Sequence, residues 1–269
     1  MTDTTPSTPT LRASTELVIG GNKLKLKLVV PTSDVPPESL LPTLHELSSL
    51  IVDGVVEKVE KQGAKISCKK GCAACCRQHV PISPAEARLL AAIVENMPQS
   101  GRSIIKKRFA QALQRLRESG VMDQAMNYHQ LSKDETVAMA KEYFELGIAC
   151  PFLENESCSV YPFRPLICRE YLVISPARHC ATLEEEHIKR LKLPVSVAAT
   201  FSAMDGVHKK GENRYIPLVM ALEWTEKHPD DCEVRPGTKW VQNFFADLSG
   251  SEIPEPGETQ QFNAAIESD

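Results

Sequence analysis

The chain has 269 residues, 42% of them hydrophobic and 25% charged, with a formal net charge of −4. That balance suits a globular protein with a sizeable core and excludes the strongly basic character of a general nucleic-acid binder. MTDTTPSTPT has neither region of a secretory signal, and no apolar run approaches the roughly 18 residues that span a bilayer, so no membrane partner and a cytoplasmic setting with reduced thiols are expected.

Residues 1–15, rich in Thr, Ser and Pro, read as a disordered tail. LVIGGNKLKLKLVV (17–30) reads as two short strands about Gly20-Gly21-Asn22, the second alternating Leu with Lys, a hairpin closing over the core. A helix is expected from about Glu38 to Lys61, with Leu44, Leu47, Ile51, Val55 and Val59 along one face. Ser83, Pro84 and Glu86 form a helix start with a capping box, and Pro98 ends that helix. Residues 102–117 form an amphipathic helix with Ile105, Phe109 and Leu116 inward; its basic face is a candidate surface for a protein partner. Ser132 and Glu135 make a second capping box, opening a helix to about Leu146. Residues 147–181 show little periodicity, and shorter helices are expected at 183–191, 216–227 and 237–248. Residues 251–269 read as a disordered acidic tail, which leaves 16–250 as a single domain. The fold class is mainly α: helices around an irregular, metal-stapled, cysteine-rich core at 66–182, with a short N-terminal β-hairpin.

Eight of the nine cysteines fall between residues 68 and 180: Cys68, Cys72, Cys75, Cys76, Cys150, Cys158, Cys168 and Cys180. They sit in segments without helical periodicity, whereas buried structural cysteines spread through helices and strands. A thioredoxin-like dithiol needs a βαβ setting that Cys72-Ala-Ala-Cys75 lacks. Thiolates are soft ligands that select zinc, copper(I) or iron–sulfur clusters. Lys65, Lys69, Lys70, Arg77, Arg164, Arg169 and Arg178 flank them and offer compensating charge. Adjacent Cys75 and Cys76 are expected to serve different roles. His79 and His179 lie close enough in sequence to replace a thiolate, with structural roles the simpler reading. Cys232, among acids, reads as a bystander. Zinc sites usually join two short C-x(2–4)-C hooks. Three close cysteines with a remote fourth fit a [4Fe–4S] cluster slightly better, so the expected cofactor is iron, as a cluster, or zinc.

Cys68-x3-Cys72-x2-Cys75-Cys76, CPFL (150–153), Cys158-Ser-Val-Tyr161, Arg164-Pro165 and Cys168-Arg169-Glu170-Tyr171 together resemble the YkgJ-type cysteine-cluster family over residues 66–182. The resemblance implies zinc or iron chelation by eight cysteines and no particular reaction. The first spacing has one residue more than the family's usual C-x2-C-x2-C-C. The leading reading is therefore a metal-binding protein without assigned chemistry. The alternative is an iron–sulfur enzyme of the radical S-adenosylmethionine type, whose βα barrel finds no strand–helix series here, or one resembling flagellin lysine methylases. A third reading, a partner-binding adaptor, would use the basic helix and the acidic tail.

Overall fold

In chain order the strands are β1 (Thr10–Ile19), β2 (Asn22–Pro31), β3 (Asp34–Val35), β4 (Pro81–Ile82), β5 (Leu153–Glu154), β6 (Ser157–Cys158), β7 (Ile216–Pro217), β8 (Arg235–Pro236) and β9 (Phe262–Ala264). The α-helices are α1 (Leu41–Lys61), α2 (Pro84–Glu95), α3 (Gln99–Glu118), α4 (Met122–Met126), α5 (Lys133–Glu145), α6 (Leu166–Glu170), α7 (Arg178–Thr182), α8 (Val197–Met204), α9 (Ala221–Lys227) and α10 (Gly237–Ser249). The computed structural model describes residues 10–204, 215–229, 233–249 and 262–264. The protein is mainly helical, as its sequence predicts.

Gly20 and Gly21, at φ 58° and 80°, form a two-residue turn of the kind that needs positive φ at both positions. Leu24, Leu26, Leu28 and Val30 are buried while Lys23, Lys25 and Lys27 are exposed, so the period-2 reading of β2 holds. The hairpin is longer than expected, pairing from Ile19↔Asn22 back to Thr10↔Pro31. Residues 10–15, placed in the tail by composition, are strand because β2 offers their backbone a partner; residues 1–9 lie outside the described residues. The apolar underside packs on α1, α8 and α10 through Leu41, Leu47, Phe201, Trp240 and Phe244. A second core joins Leu90, Phe109 and Trp224 with Phe152 and Val160 of the second cysteine segment. A third joins Leu116, Met139, Tyr143 and Ile148.

Both capping boxes form. A 3-10 turn, Pro37–Leu40, precedes α1 where helix was expected from Glu38. Residues 183–191 are not a helix beyond a 3-10 turn at Glu185–His187. Leu183, at φ 51°, stops α7, and Ile174 N–H to the Lys189 carbonyl (2.9 Å) and Leu191 N–H to the Leu172 carbonyl (2.8 Å) draw 189–191 into extended pairing. The first part of 216–227 is likewise not α-helix, because Ile216-Pro217 pairs with Pro81-Ile82. The short helices α4, α6, α7 and α8 were not expected. In the acidic tail, Phe262–Ala264 runs parallel to Leu17–Ile19, and the rest lies outside the described residues.

The basic face of α3 is partnered within the chain: Arg102 and Lys106 with Glu95, Arg108 with Glu154, and Arg117 with Glu223. Among the described residues the sheets have two or three strands and β1–β9 is the one parallel pair, so a βα barrel has no counterpart. No described helix is long and apolar enough to cross a membrane.

Candidate metal centre

Residues 68–78 run as successive tight turns. Cys72 N–H bonds the Lys69 carbonyl (2.9 Å), Cys76 N–H the Ala73 carbonyl (3.0 Å) and Gln78 N–H the Cys75 carbonyl (3.1 Å). Gly71, at φ 87°, is the third residue of the first turn, where type II geometry requires positive φ.

Hydrogen bonds within the chain then tie this loop to the second cysteine segment. Cys150 N–H bonds the Cys76 carbonyl at 2.7 Å, and the Gln78 side chain donates to the Cys180 carbonyl at 3.1 Å. Ser67 N–H bonds the Val173 carbonyl at 3.0 Å, and Val173 N–H returns to Cys68 Sγ at 3.3 Å. Arg77 forks onto Glu156 at 2.6 and 3.2 Å. Glu156 and Asn155, at φ 54° and 48°, form the turn of the β5–β6 hairpin, whose second strand carries Cys158. Helix α6 carries Cys168, and its first N–H, that of Leu166, donates to Glu86 Oε1 at 2.7 Å. At its other end Glu170 accepts the Val197 and Ala198 N–H groups (2.8 and 3.2 Å) and the Ser196 hydroxyl (2.7 Å), which fixes α8 against α6.

The result brings the predicted residues together. Cys68, Cys72, Cys75, Cys76, Cys150, Cys158 and Cys168 line one cavity of about 450 Å³. Cys180 is buried beside it, and none of the eight is in a disulfide. Two groups of neighbouring thiols are distinguishable by the charge they would exert on one another as thiolates. Cys180 is influenced by Cys68, Cys75 and Cys72; Cys168 by Cys150, Cys75 and Cys158. Cys75 recurs in both sets. Cys232 lies outside the described residues.

Burial raises the thiol pKa of Cys150 to about 12 and of Cys180 to about 11, and pushes Cys168 well up and Cys68 and Cys158 up. Cys75 is raised first by its hydrogen bond with Cys76 and then by burial. Metal-free, these thiols hold their protons at neutral pH, so a soft cation must displace them and binding is pH-dependent. Arg164 works the other way at Cys68, Cys75 and Cys158. It lines the cavity, stacks on Tyr161 at 4.3 Å, and its buried Nε has no hydrogen-bond partner among the described residues.

Of the other flanking cations, Lys69 lines the cavity, Arg77 is committed to Glu156, and Arg169 braces the Arg164 and Pro162 carbonyls. His79 lines the cavity with its buried Nε2 unpartnered among the described residues, and burial lowers its pKa to about 4, which keeps it neutral. His179 faces Glu184 instead. Sequence reading missed Tyr171 and Arg190 as lining residues, bonded Nε to hydroxyl at 3.4 Å. Arg190 gave no signal, since its segment reads as helix. It also missed the second role of Glu86: the capping box is legible, the reach to Leu166 is not.

Fold and site define a class: helical proteins that gather thiols around a cavity suited to a soft metal. Residues 67–192, just under half of the chain, match the CxxCxxCC family model, described as a "putative zinc- or iron-chelating domain". This is the family that the cysteine pattern resembles, and the match extends past Cys180 through the extended pairing at 189–191. No curated protein and no solved structure matches the chain.

Proposed function

We propose that the chain binds an iron–sulfur cluster through thiolates drawn from Cys68, Cys72, Cys75, Cys76, Cys150, Cys158, Cys168 and Cys180, with Cys75 central. The observation that carries this reading is the number of thiols on one cavity: seven line it and Cys180 is buried beside it, more than one tetrahedral zinc ion uses. One zinc ion with four bonds of about 2.3 Å holds its sulfurs about 3.8 Å apart. A cluster distributes its thiolates over several metal atoms and needs a wider ring, and the cavity of about 450 Å³ supplies the room. Arg164 offsets part of the negative charge that such a ring accumulates. When bound, the cluster would supply one-electron redox chemistry or a structural clamp.

The test is anaerobic purification of the full chain, with iron, zinc and acid-labile sulfide analysis and an absorption spectrum. Iron and sulfide in matching amounts, with visible absorption that dithionite bleaches, is the expected result. Colourless protein with stoichiometric zinc overturns it. Cys75→Ser, Cys72→Ser and Cys168→Ser should each lower metal content sharply while Cys232→Ser leaves it unchanged; equal losses would refute the division of the cysteines.

A further inference from the structure

Beside the thiol cavity, His179, Glu184 and His187 bring a different donor set together. Nδ1 of His179 lies 2.5 Å from Glu184 Oε2, and Nδ1 of His187 lies 3.7 Å from the same oxygen. The two imidazoles stack with centroids 5.2 Å apart and planes 24° apart. One donor atom from each of the three falls within 4.8 Å of the others, the one such group of His, Cys, Asp and Glu side chains among the described residues.

The local backbone builds this arrangement. Leu183, in the left-handed region at φ 51°, ends α7 and turns the chain back. Glu184 N–H then returns to the His179 carbonyl (3.0 Å), and His187 N–H to the Glu184 carbonyl (2.9 Å). The Thr182 hydroxyl lies 2.9 Å from Glu184 Oε1 and 3.1 Å from the Arg178 carbonyl and shares its one hydrogen between them, while Glu184 Oε2 is turned toward both rings. Hydrogen bonds from His179 and Thr182 hold the Glu184 carboxyl below its ordinary pKa, so it stays ionised. The His179 side chain is 13% exposed, Glu184 43% and His187 59%, so one side of the group is fixed and the other faces water.

Both rings turn Nδ1 toward Glu184 Oε2, with water access opposite, and His187 Nδ1 lies equally 3.7 Å from Glu186 Oε1. Two histidines, one carboxylate and open positions are the donor set of catalytic zinc sites and of non-haem iron sites. A carboxylate held by a hydroxyl is the kind of outer contact that orients a metal ligand.

We propose that His179, Glu184 and His187 form a second site that binds one divalent first-row transition-metal ion, separate from the cysteine centre. Imidazole and carboxylate favour zinc, iron(II), cobalt(II) or nickel(II) over the softer ions that thiolates select. Leu183 and Glu185, either side of Glu184, line the thiol cavity, so the ion binds within a residue of that cavity's wall.

The test is cobalt(II) titration of the full-length protein, its cysteine centre filled as isolated. Cobalt on nitrogen and oxygen gives weak visible bands; cobalt on thiolates adds intense sulfur-to-cobalt charge transfer in the near ultraviolet. One further equivalent without charge transfer is expected. His187→Ala and, separately, Glu184→Gln should weaken it at least tenfold while metal at the cysteines is unchanged. No further equivalent, an equivalent showing sulfur charge transfer, or both variants binding like the parent overturns the proposal. The sulfur band separates this outcome from any failure of the cluster reading.

Discussion

Glu86→Ala is the substitution whose cost the structure determines best. The Glu86 carboxylate is 4% exposed and works in two directions. Oε2 accepts the Ser83 N–H at 2.9 Å and the Ser83 hydroxyl at 3.0 Å, which closes the capping box of α2. Oε1 accepts the Leu166 N–H at 2.7 Å, 80 residues away in sequence, at the start of the helix that carries Cys168. Alanine leaves at least the two buried N–H groups without acceptors, at about 1–3 kcal/mol each. The expected loss is therefore about 4 kcal/mol, against a whole-domain stability of roughly 5–15 kcal/mol. At about 2–4 °C per kcal/mol for a chain of this size, the melting temperature should fall by about 10 °C. The chain contains its own control. Ser132 and Glu135 form the same motif at α5, with Glu135 exposed and bonded to Ser132 at 2.8 and 3.3 Å, and no long-range hydrogen bond from Glu135 among the described residues. Glu135→Ala should cost a small fraction as much. Calorimetry of both variants, loaded with metal, decides the matter. Equal losses would refute the idea that the reach to Leu166 does the stabilising, and Glu86→Ala should also lower metal retention because α6 positions Cys168.

Stability should fall on acidification between pH 6.5 and about 4. Burial, then Arg169 and Arg164, lower the pKa of His45 to about 4, and burial lowers that of His79 to about 4, so the unfolded chain takes up both protons first and the stability present above 6.5 is lost as pH falls; His45 accounts for about 3 kcal/mol of that loss, and His45→Gln should remove its share of the slope of a pH–melting curve while the His79 share remains. Arg164→Gln removes the charge that favours the thiolates of Cys68, Cys75 and Cys158, so protons compete better and the pH of half-maximal metal release should rise; an unchanged midpoint would clear Arg164 of that role. Metal removal should reduce hydrogen-exchange protection at 68–79, where Ala73 is the one buried residue, while 148–166, anchored by Phe152, Val160 and Leu166, keeps most of its own. Equal protection of 68–79 with and without metal would sink this.

What was legible in the sequence was local. The Leu–Lys alternation of β2, the apolar face of α3 and both S-x-x-E caps follow from period and position alone and formed, while the face of α1 is buried through Leu44, Leu47 and Ile51 and only half-buried at Val55 and Val59. What was not legible depends on partners distant in the chain. Residues 10–15 carry no strand pattern strong enough to outweigh their Thr and Ser content, yet β2 pairs them. Residues 189–191 read as the end of a helix because Leu172 and Ile174, which pull them extended, lie 17 residues or so upstream. The cysteines were legible as a set through their clustering outside periodic segments. Their division around Cys75, and the choice of Arg164 from seven flanking cations, belong to three-dimensional proximity.

The same contrast bears on how metal and fold depend on each other. With little periodicity in either cysteine segment, one would expect ligation to order both. The structure distributes that task unevenly. The second segment places Phe152 and Val160 in the core between α2, α3 and α9, and its α6 is capped by a carboxylate from α2. Three of the second segment's thiols, Cys150, Cys158 and Cys168, thus rest on elements held by burial and hydrogen bonds. The loop at 68–76 has turns and cross-strand bonds but almost no buried apolar side chain of its own. Metal that reaches the prepared thiols first and then recruits the loop would close the cavity around itself. Cys75, the thiol that feels both sets, is where that closure would be completed.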